Sequence, residues 1–297
     1  MKAQRGQIFG LLLMTASSTL YGISPLVVSS ITETGIHYSH VMLFKGGIAA
    51  IQLLMVAVLL KKPLSLGAQD WRKVVSLGFL RGLTGTLLFG SYNWVTTGLA
   101  TAIHHTYPLF VALLNLLLLH KFPTRGETGS LLFVLAGTIC FVLNVGGREV
   151  AWEGVVMALL SAIAFGAYLL TLDKSGLEHL PSTVYNMYEL GCAAVFSVLF
   201  GLCLGKLPCV PNLRGWIYAA IAAAISCGCG VLTKIAFQYV HAQKVSVIGV
   251  LEPIVSMVMG ALFLQEAVST LTIVGMAMII GSATITFISS RKPGLKK

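Results

Sequence analysis

Five ionisable side chains, Lys45, Arg81, Glu189, Lys234 and Glu252, sit inside long apolar runs. If those runs cross a bilayer, each unpaired charge costs at least about 2.5–3.5 kcal/mol on insertion scales, so the five should face a bundle interior and meet one another or a ligand. Lys45 and Glu189 carry opposite signs. They could hold the two ends of a zwitterion, Glu189 could carry a proton, or the two could form a salt bridge that locks the bundle. The planar fork of Arg81 suits a carboxylate or a phosphate, and Gly82 and Gly85 leave room beside it; the alternative is an arginine that reaches to the interface. Lys234 lies near the end of its run, where snorkelling is expected. Glu252 precedes Pro253, so a carboxylate stands beside an expected kink, where it could pair with Lys234 or Arg81 or bind a proton. Three aromatic side chains, Trp94, Tyr107 and Tyr188, are candidates to stack on an organic substrate. His104 could titrate near neutrality or pack as a hydrogen-bonded core residue.

The elements that must position these groups are apolar helices. The chain is 56% hydrophobic and 10% charged, against about 25% charged in soluble domains. Runs long enough to cross a hydrocarbon core of about 30 Å recur near residues 7–30, 38–60, 73–92, 99–119, 128–146, 153–172, 182–204, 214–237, 245–264 and 270–289. Helices satisfy their own backbone in lipid, and the alternating ten-residue segments of a barrel are absent. The first run continues past any signal-peptide length, so it is expected to remain as a span. The net charge of +10 would point to nucleic acid in a soluble protein, but here the basic residues occupy short connections. With the N-terminus inside, fourteen of the twenty lie on the cytoplasmic side and only Arg148, Lys206 and Arg214 lie outside, a positive-inside pattern. The six cysteines have no metal-ligand spacing and read as small packing residues.

The chain also resembles itself. At an offset of 144, Tyr21-Gly22 meets Phe165-Gly166 and Lys45 meets Glu189; at 145, Trp94 meets Tyr239 and Tyr107-Pro108 meets Glu252-Pro253. Two halves, residues 1–147 and 148–297, each hold five runs, and an odd number forces the second half to enter the membrane the other way. Inverted repeats are a recurrent transporter architecture with the substrate near the midplane between halves. The fold expected is therefore an all-α membrane protein of ten helices around a central cavity, with Lys45 and Glu189 on facing walls.

The segment Glu252-Pro253-Ile-Val-Ser-Met-Val-Met-Gly260-Ala-Leu-Phe-Leu-Gln265-Glu266 resembles the penultimate-helix pattern of the EamA family of drug/metabolite transporters, with Gln265 where that pattern has Gly. Tyr107-Pro108 begins a weaker counterpart that ends in His120-Lys121. The resemblance implies a carrier. Together with the intramembrane charges, the expectation is a secondary-active plasma-membrane carrier for a small polar or zwitterionic, amino-acid-like metabolite. Substrate contacts are expected from Lys45, Arg81, Trp94, Tyr107, Tyr188 and Glu189, and coupling or gating from Glu189, Glu252 and Pro253. Protons are the expected coupling partner because both carboxylates lie in apolar surroundings. No cofactor, metal or nucleic acid is expected. An exporter of amphipathic cations is the alternative, disfavoured by the three basic residues inside the runs. A channel would need rings of charge or carbonyl-lined loops, and an enzyme a convergent catalytic constellation; neither is legible.

Overall fold

The computed structural model describes residues 2–120, 122, 125–143, 151–177, 179–237, 239 and 251–289. Arg148, Lys121, Lys244, Gln238 and the basic tail 290–297 fall outside them, as do the side chains of Lys2, Arg5, Arg125, Lys234 and Phe237. Among the described residues the regular structure is entirely helical: α1 (Lys2–Glu33), a 3-10 turn (Tyr38–His40), α2 (Val41–Leu59), α3 (Ala68–Ser91), α4 (Thr97–His104), α5 (Tyr107–Leu119), α6 (Arg125–Leu143), α7 (Trp152–Asp173), α8 (Ser182–Cys203), α9 (Leu213–Phe237), α10 (Leu251–Phe263) and α11 (Thr270–Ser289). Six are long and apolar enough to cross a membrane: α1, α2, α3, α7, α8 and α9. Apolar helices within α6, α10 and α11 are shorter.

The fourth run, expected over 99–119 as one helix kinked at Pro108, is two helices. The chain breaks at His105-Thr106 between α4 and α5. Pro108 has no N–H to donate to the preceding turn, and it sits at the second position of α5, where a helix needs no such donor. The break closes with bonds from His105 N to Thr101 O and Thr106 N to Ile103 O, at 2.9 and 3.0 Å, and with the Thr106 hydroxyl donating to Ile103 O at 2.7 Å. Pro253 lies in the first turn of the described α10, so any kink upstream of it falls outside the described residues.

Contacts at the helix ends fix directions. The start of α2 meets the end of α8, where the Ser197 hydroxyl accepts from Leu43 N at 3.1 Å. The end of α1 meets the start of α9 at Thr34 and Gly215. The start of α3 meets the end of α7, where Lys73 Nζ donates to Ser175 O at 2.7 Å. Hence α1, α3 and α8 run one way and α2, α7 and α9 the other. The same packing appears twice: α1 lies on α9 and α10, and α7 lies on α3, α4 and α5; α2 lies on α9, and α8 on α3. The closest approaches repeat as well. A Cβ on Gly22 would meet Glu252 O and Val255, and one on Gly166 would meet Tyr107 O and Phe110. Tyr107 and Phe110 are the counterparts of Glu252 and Val255 in the other half. Small residues permit such contacts between helices, where lipid supplies no hydrophobic drive.

Helix termini repeat too. α2 ends on Lys61 with φ 50°, and α8 ends on its counterpart Gly205 with φ 68°. In both, a six-to-one bond closes the turn: Lys62 N to Ala57 O and Lys206 N to Gly201 O, each 2.9 Å. Large apolar side chains cover the outside of the bundle, including Ile51, Met55, Val58, Val195, Leu199 and Leu262, each more than half exposed. Such a surface suits hydrocarbon and would aggregate in water.

Candidate functional site

A cavity of ≈ 260 Å³ opens among α1, α2, α3, α8 and α9. Its polar lining comes from Tyr21, Arg81, Ser182, Thr183, Asn186, Glu189 and Ser226, and its apolar lining from Leu53, Val56, Leu190 and Val231, among others. On α8 the lining residues 182, 183, 186, 189 and 190 fall at helical spacing on one face. Leu60, Ser182, Thr183 and Ile235 place the cavity toward the bundle end where α2 and α9 finish and α8 begins. Described loops and helix ends there carry Lys61, Lys62, Arg72, Lys73 and Lys174, against Lys206 and Arg214 at the opposite end.

Two charges share this cavity without closing on each other. Glu189 is 2% exposed, and its Oε1 has no hydrogen-bond partner among the described residues. The hydroxyls of Tyr168 and Tyr185, 3.3 Å apart, lie beside this carboxylate. Arg81 holds its guanidinium 5.7 Å from the Tyr168 ring centroid. No ion pair within 4.0 Å joins Arg81 to Glu189 among the described residues. A buried carboxylate oxygen without a donor costs free energy until one arrives, so this geometry suits a ligand that brings a donor to Glu189 and an acceptor to Arg81.

Lys45 does not line the cavity and is not paired with Glu189. Its ammonium donates to the Ser24 hydroxyl at 3.3 Å and stands 4.9 Å from the Phe89 ring centroid. Trp94 lies in the turn after α3, 51% exposed, over Gly154. Tyr188 donates to Leu64 O at 2.8 Å and stacks edge-on against Trp71, which ties α8 to the α2–α3 connection. Tyr107 meets Phe165 of α7 edge to face, with ring centroids 4.8 Å apart. His104 is buried and its Nδ1 meets the Ser161 hydroxyl at 2.9 Å. Of the expected residues, the structure therefore brings Arg81 and Glu189 together in the cavity. It adds Tyr21 on α1, Asn186 on α8 and Ser226 on α9; the polar stripe on α8 could have revealed Asn186.

Glu252 stands apart from this cavity, with Oε1 3.8 Å from His105 Nε2, and Pro253 beside it is buried. Glu266 explains the end of its motif. Its carboxylate accepts from Thr97 N at 2.7 Å and from the Thr97 hydroxyl at 3.1 Å, which caps the N-terminus of α4. Gly260 leaves the space this carboxylate fills. Gln265 takes φ 55°, and His120, its counterpart in the first half, takes φ 53°, a conformation that glycine adopts without strain. No cluster of three His, Cys, Asp or Glu side chains with metal-binding geometry occurs among the described residues.

Known proteins share this plan. The EamA-like transporter family matches residues 8–143 and again 152–288. The threonine/homoserine exporter RhtA of Salmonella typhimurium is 28% identical over 228 residues, covering 74% of this chain and 72% of the exporter. The uncharacterized transporter YoaV of Bacillus subtilis is 24% identical over 281 residues, 88% of this chain and 92% of that protein. An uncharacterized transporter of Synechocystis is 23% identical over 222 residues; that match takes in 72% of this chain but 65% of the relative, just under two thirds of its length. A crystal structure of a protein with 15% identity superposes at a TM-score of 0.68, covering 95% of this chain and 99% of that one, a likeness of fold.

Proposed function

Because the chain belongs to the EamA-like transporter family, matched over both of its halves, we propose that it is a secondary-active carrier of a small zwitterionic, amino-acid-like metabolite, working by alternating access in the plasma membrane. The observation that carries the substrate class is the shared cavity of Arg81 and Glu189. Arg81 offers a fork for a carboxylate, and Glu189, the acid of the cavity lining, has an Oε1 without a hydrogen-bond partner among the described residues that an ammonium could satisfy. A free amino acid has both groups, and ≈ 260 Å³ has room for one. Threonine and homoserine, which the name of the relative RhtA gives as its substrates, are the first compounds to try.

The architecture we propose has ten crossings in two inverted five-helix repeats, residues 1–147 and 148–297. α4 and α5 together form the fourth crossing, and both termini are cytoplasmic. Support comes from the opposed directions of α1–α3 and α7–α9, the packing that recurs at an offset of 144 or 145, and the basic residues gathered at one end. With that end cytoplasmic, the cavity described is open inward. Inverted halves of similar sequence can exchange roles, so an inward-open and an outward-open state lie close in energy.

The test is counterflow in proteoliposomes of purified protein, preloaded with unlabelled threonine or homoserine and given labelled compound outside. Saturable exchange supports a carrier, and its absence with every zwitterion tried removes the substrate class. Glu189 with Tyr21, Tyr168 and Tyr185 favours a second reading, export of an amphipathic cation. Tetraphenylphosphonium counterflow without amino-acid counterflow would select it.

A further inference from the structure

We propose that His105 and Glu252 form a proton-binding site, separate from the Arg81–Glu189 cavity, whose occupancy sets how the α4–α5 break sits on α10. It rests on the reading of the chain as a carrier and names the residues that would take the coupling proton.

The two residues meet where the fold is interrupted. His105 is the residue at which α4 ends, and Glu252 lies in the first turn of α10 beside Pro253. His105 Nε2 is buried and has no hydrogen-bond partner among the described residues, while the Glu252 Oε1 faces it from 3.8 Å, too far for a hydrogen bond. The side chains are 13% and 30% exposed, so the Glu252 carboxylate is the open side of the pair and His105 Nε2 the covered one. A nitrogen and a carboxylate held just beyond bonding distance have two states. With the ring neutral and Glu252 ionised, the pair carries one negative charge. When water delivers one proton to the pair, it becomes neutral overall and the N–H can close on the carboxylate as an ion pair.

The contact is also mechanical. Glu252 and Glu266 grip α4 from both ends of α10, one at the C-terminal break and the other as the N-terminal cap. Between them, the Thr101 and Ser256 hydroxyls meet at 3.3 Å, and Gly98 admits the Met257 backbone. A change of charge at His105–Glu252 therefore acts on the one place where α4 can swing relative to α5. The other titratable or charged groups whose fields reach this pair, among the described residues, are His104 on α4, Tyr107 on α5, Tyr21 on α1, Lys45 on α2, Tyr92 after α3 and Cys229 on α9. Lys45 is the one cation in that set facing Glu252, and it is already engaged with Ser24 and Phe89.

The deciding experiment is nitrogen-15 histidine NMR of the full chain in nanodiscs, titrated from about pH 5 to 9, with His105→Gln to assign the signal and Glu252→Gln as the perturbation. The expected result is a His105 ring whose titration is displaced in Glu252→Gln while those of His37 and His179 stay in place. A ring that never titrates, or one that titrates identically in wild type and Glu252→Gln, overturns the proposal. A second arm compares proteoliposome uptake with and without a pH gradient. His105→Gln should keep gradient-free counterflow and lose at least tenfold of the gradient's stimulation; undiminished stimulation also overturns it. If wild type exchanges no amino acid at all, the substrate reading fails, and the NMR arm still decides the proton site.

Discussion

At the scale of residues, the cavity sets two charges facing one space, and each should act through a different end of the substrate. Losing a hydrogen bond to a charged group costs about 1.5–3 kcal/mol, or roughly tenfold to a hundredfold in affinity. Arg81→Ala is expected to weaken binding of a zwitterion by that factor, with a carboxylate-free analogue such as an amino alcohol affected much less. Glu189→Gln should do the reverse, sparing analogues that lack the ammonium. Competition in the counterflow assay separates the two; equal losses for every analogue would place both residues in the scaffold. Lys45→Ala should affect the bundle more than the substrate, because its ammonium is engaged with Ser24 and Phe89 outside the cavity lining.

At the scale of elements, α4 is a short helix of Thr97–His104 held by side chains from α10 and the segment after it. Removing a cap costs about 0.5–2 kcal/mol, so Glu266→Ala should lower stability in micelles by that amount. Gly260→Ala pushes a methyl group into the same carboxylate and should destabilise as well. The double variant is expected to lose less than the sum, since the clash vanishes with the carboxylate; additive losses would show that the two do not act on one contact. A second joint lies in the α7–α8 connection. His179 Nε2 meets the Asp70 carboxylate of α3 at 3.0 Å, and this bond holds the imidazole above its ordinary value. A raised folded value means the contribution is complete below about pH 6.5, the unfolded value, and is lost as pH rises through the folded one. The melting-temperature gap between wild type and Asp70→Asn should therefore be larger near pH 5.5 than near pH 8.5. A gap independent of pH would detach His179 from the joint.

At the scale of the whole molecule, orientation can be read from two loops. Cys209 is exposed in the connection between α8 and α9, at the end of the bundle opposite His179. In right-side-out vesicles, with the other cysteines replaced by serine, an impermeant maleimide should label Cys209 and leave a cysteine at position 179 unlabelled until the membrane is opened. Labelling of both from one side would show that α8 does not cross the membrane. A Cys227 single-cysteine variant should react from the cytoplasmic side and be protected by substrate, because Cys227 lines the cavity.

The class of molecule follows from chain order alone. Apolar run length, the sparsity of charge and the likeness of one half to the other are properties of that order, so they are legible without coordinates. The same holds for Arg81 and Glu189, because a charge in an apolar run stands out against its neighbours. Who meets whom is a matter of packing. Lys45 and Glu189 are equivalent in the repeat, but pseudo-symmetry relates equivalent positions rather than creating contact, and the rotation of α2 turns one toward Ser24 while α8 turns the other into the cavity. Tyr188 neighbours Glu189 in sequence and points elsewhere, because successive residues on a helix are about 100° apart. Pro108 marks a kink in the fourth run on sequence alone, but a full break at His105 depends on packing: on the Thr106 hydroxyl and on α10 being close enough to hold both ends of the short helix that results.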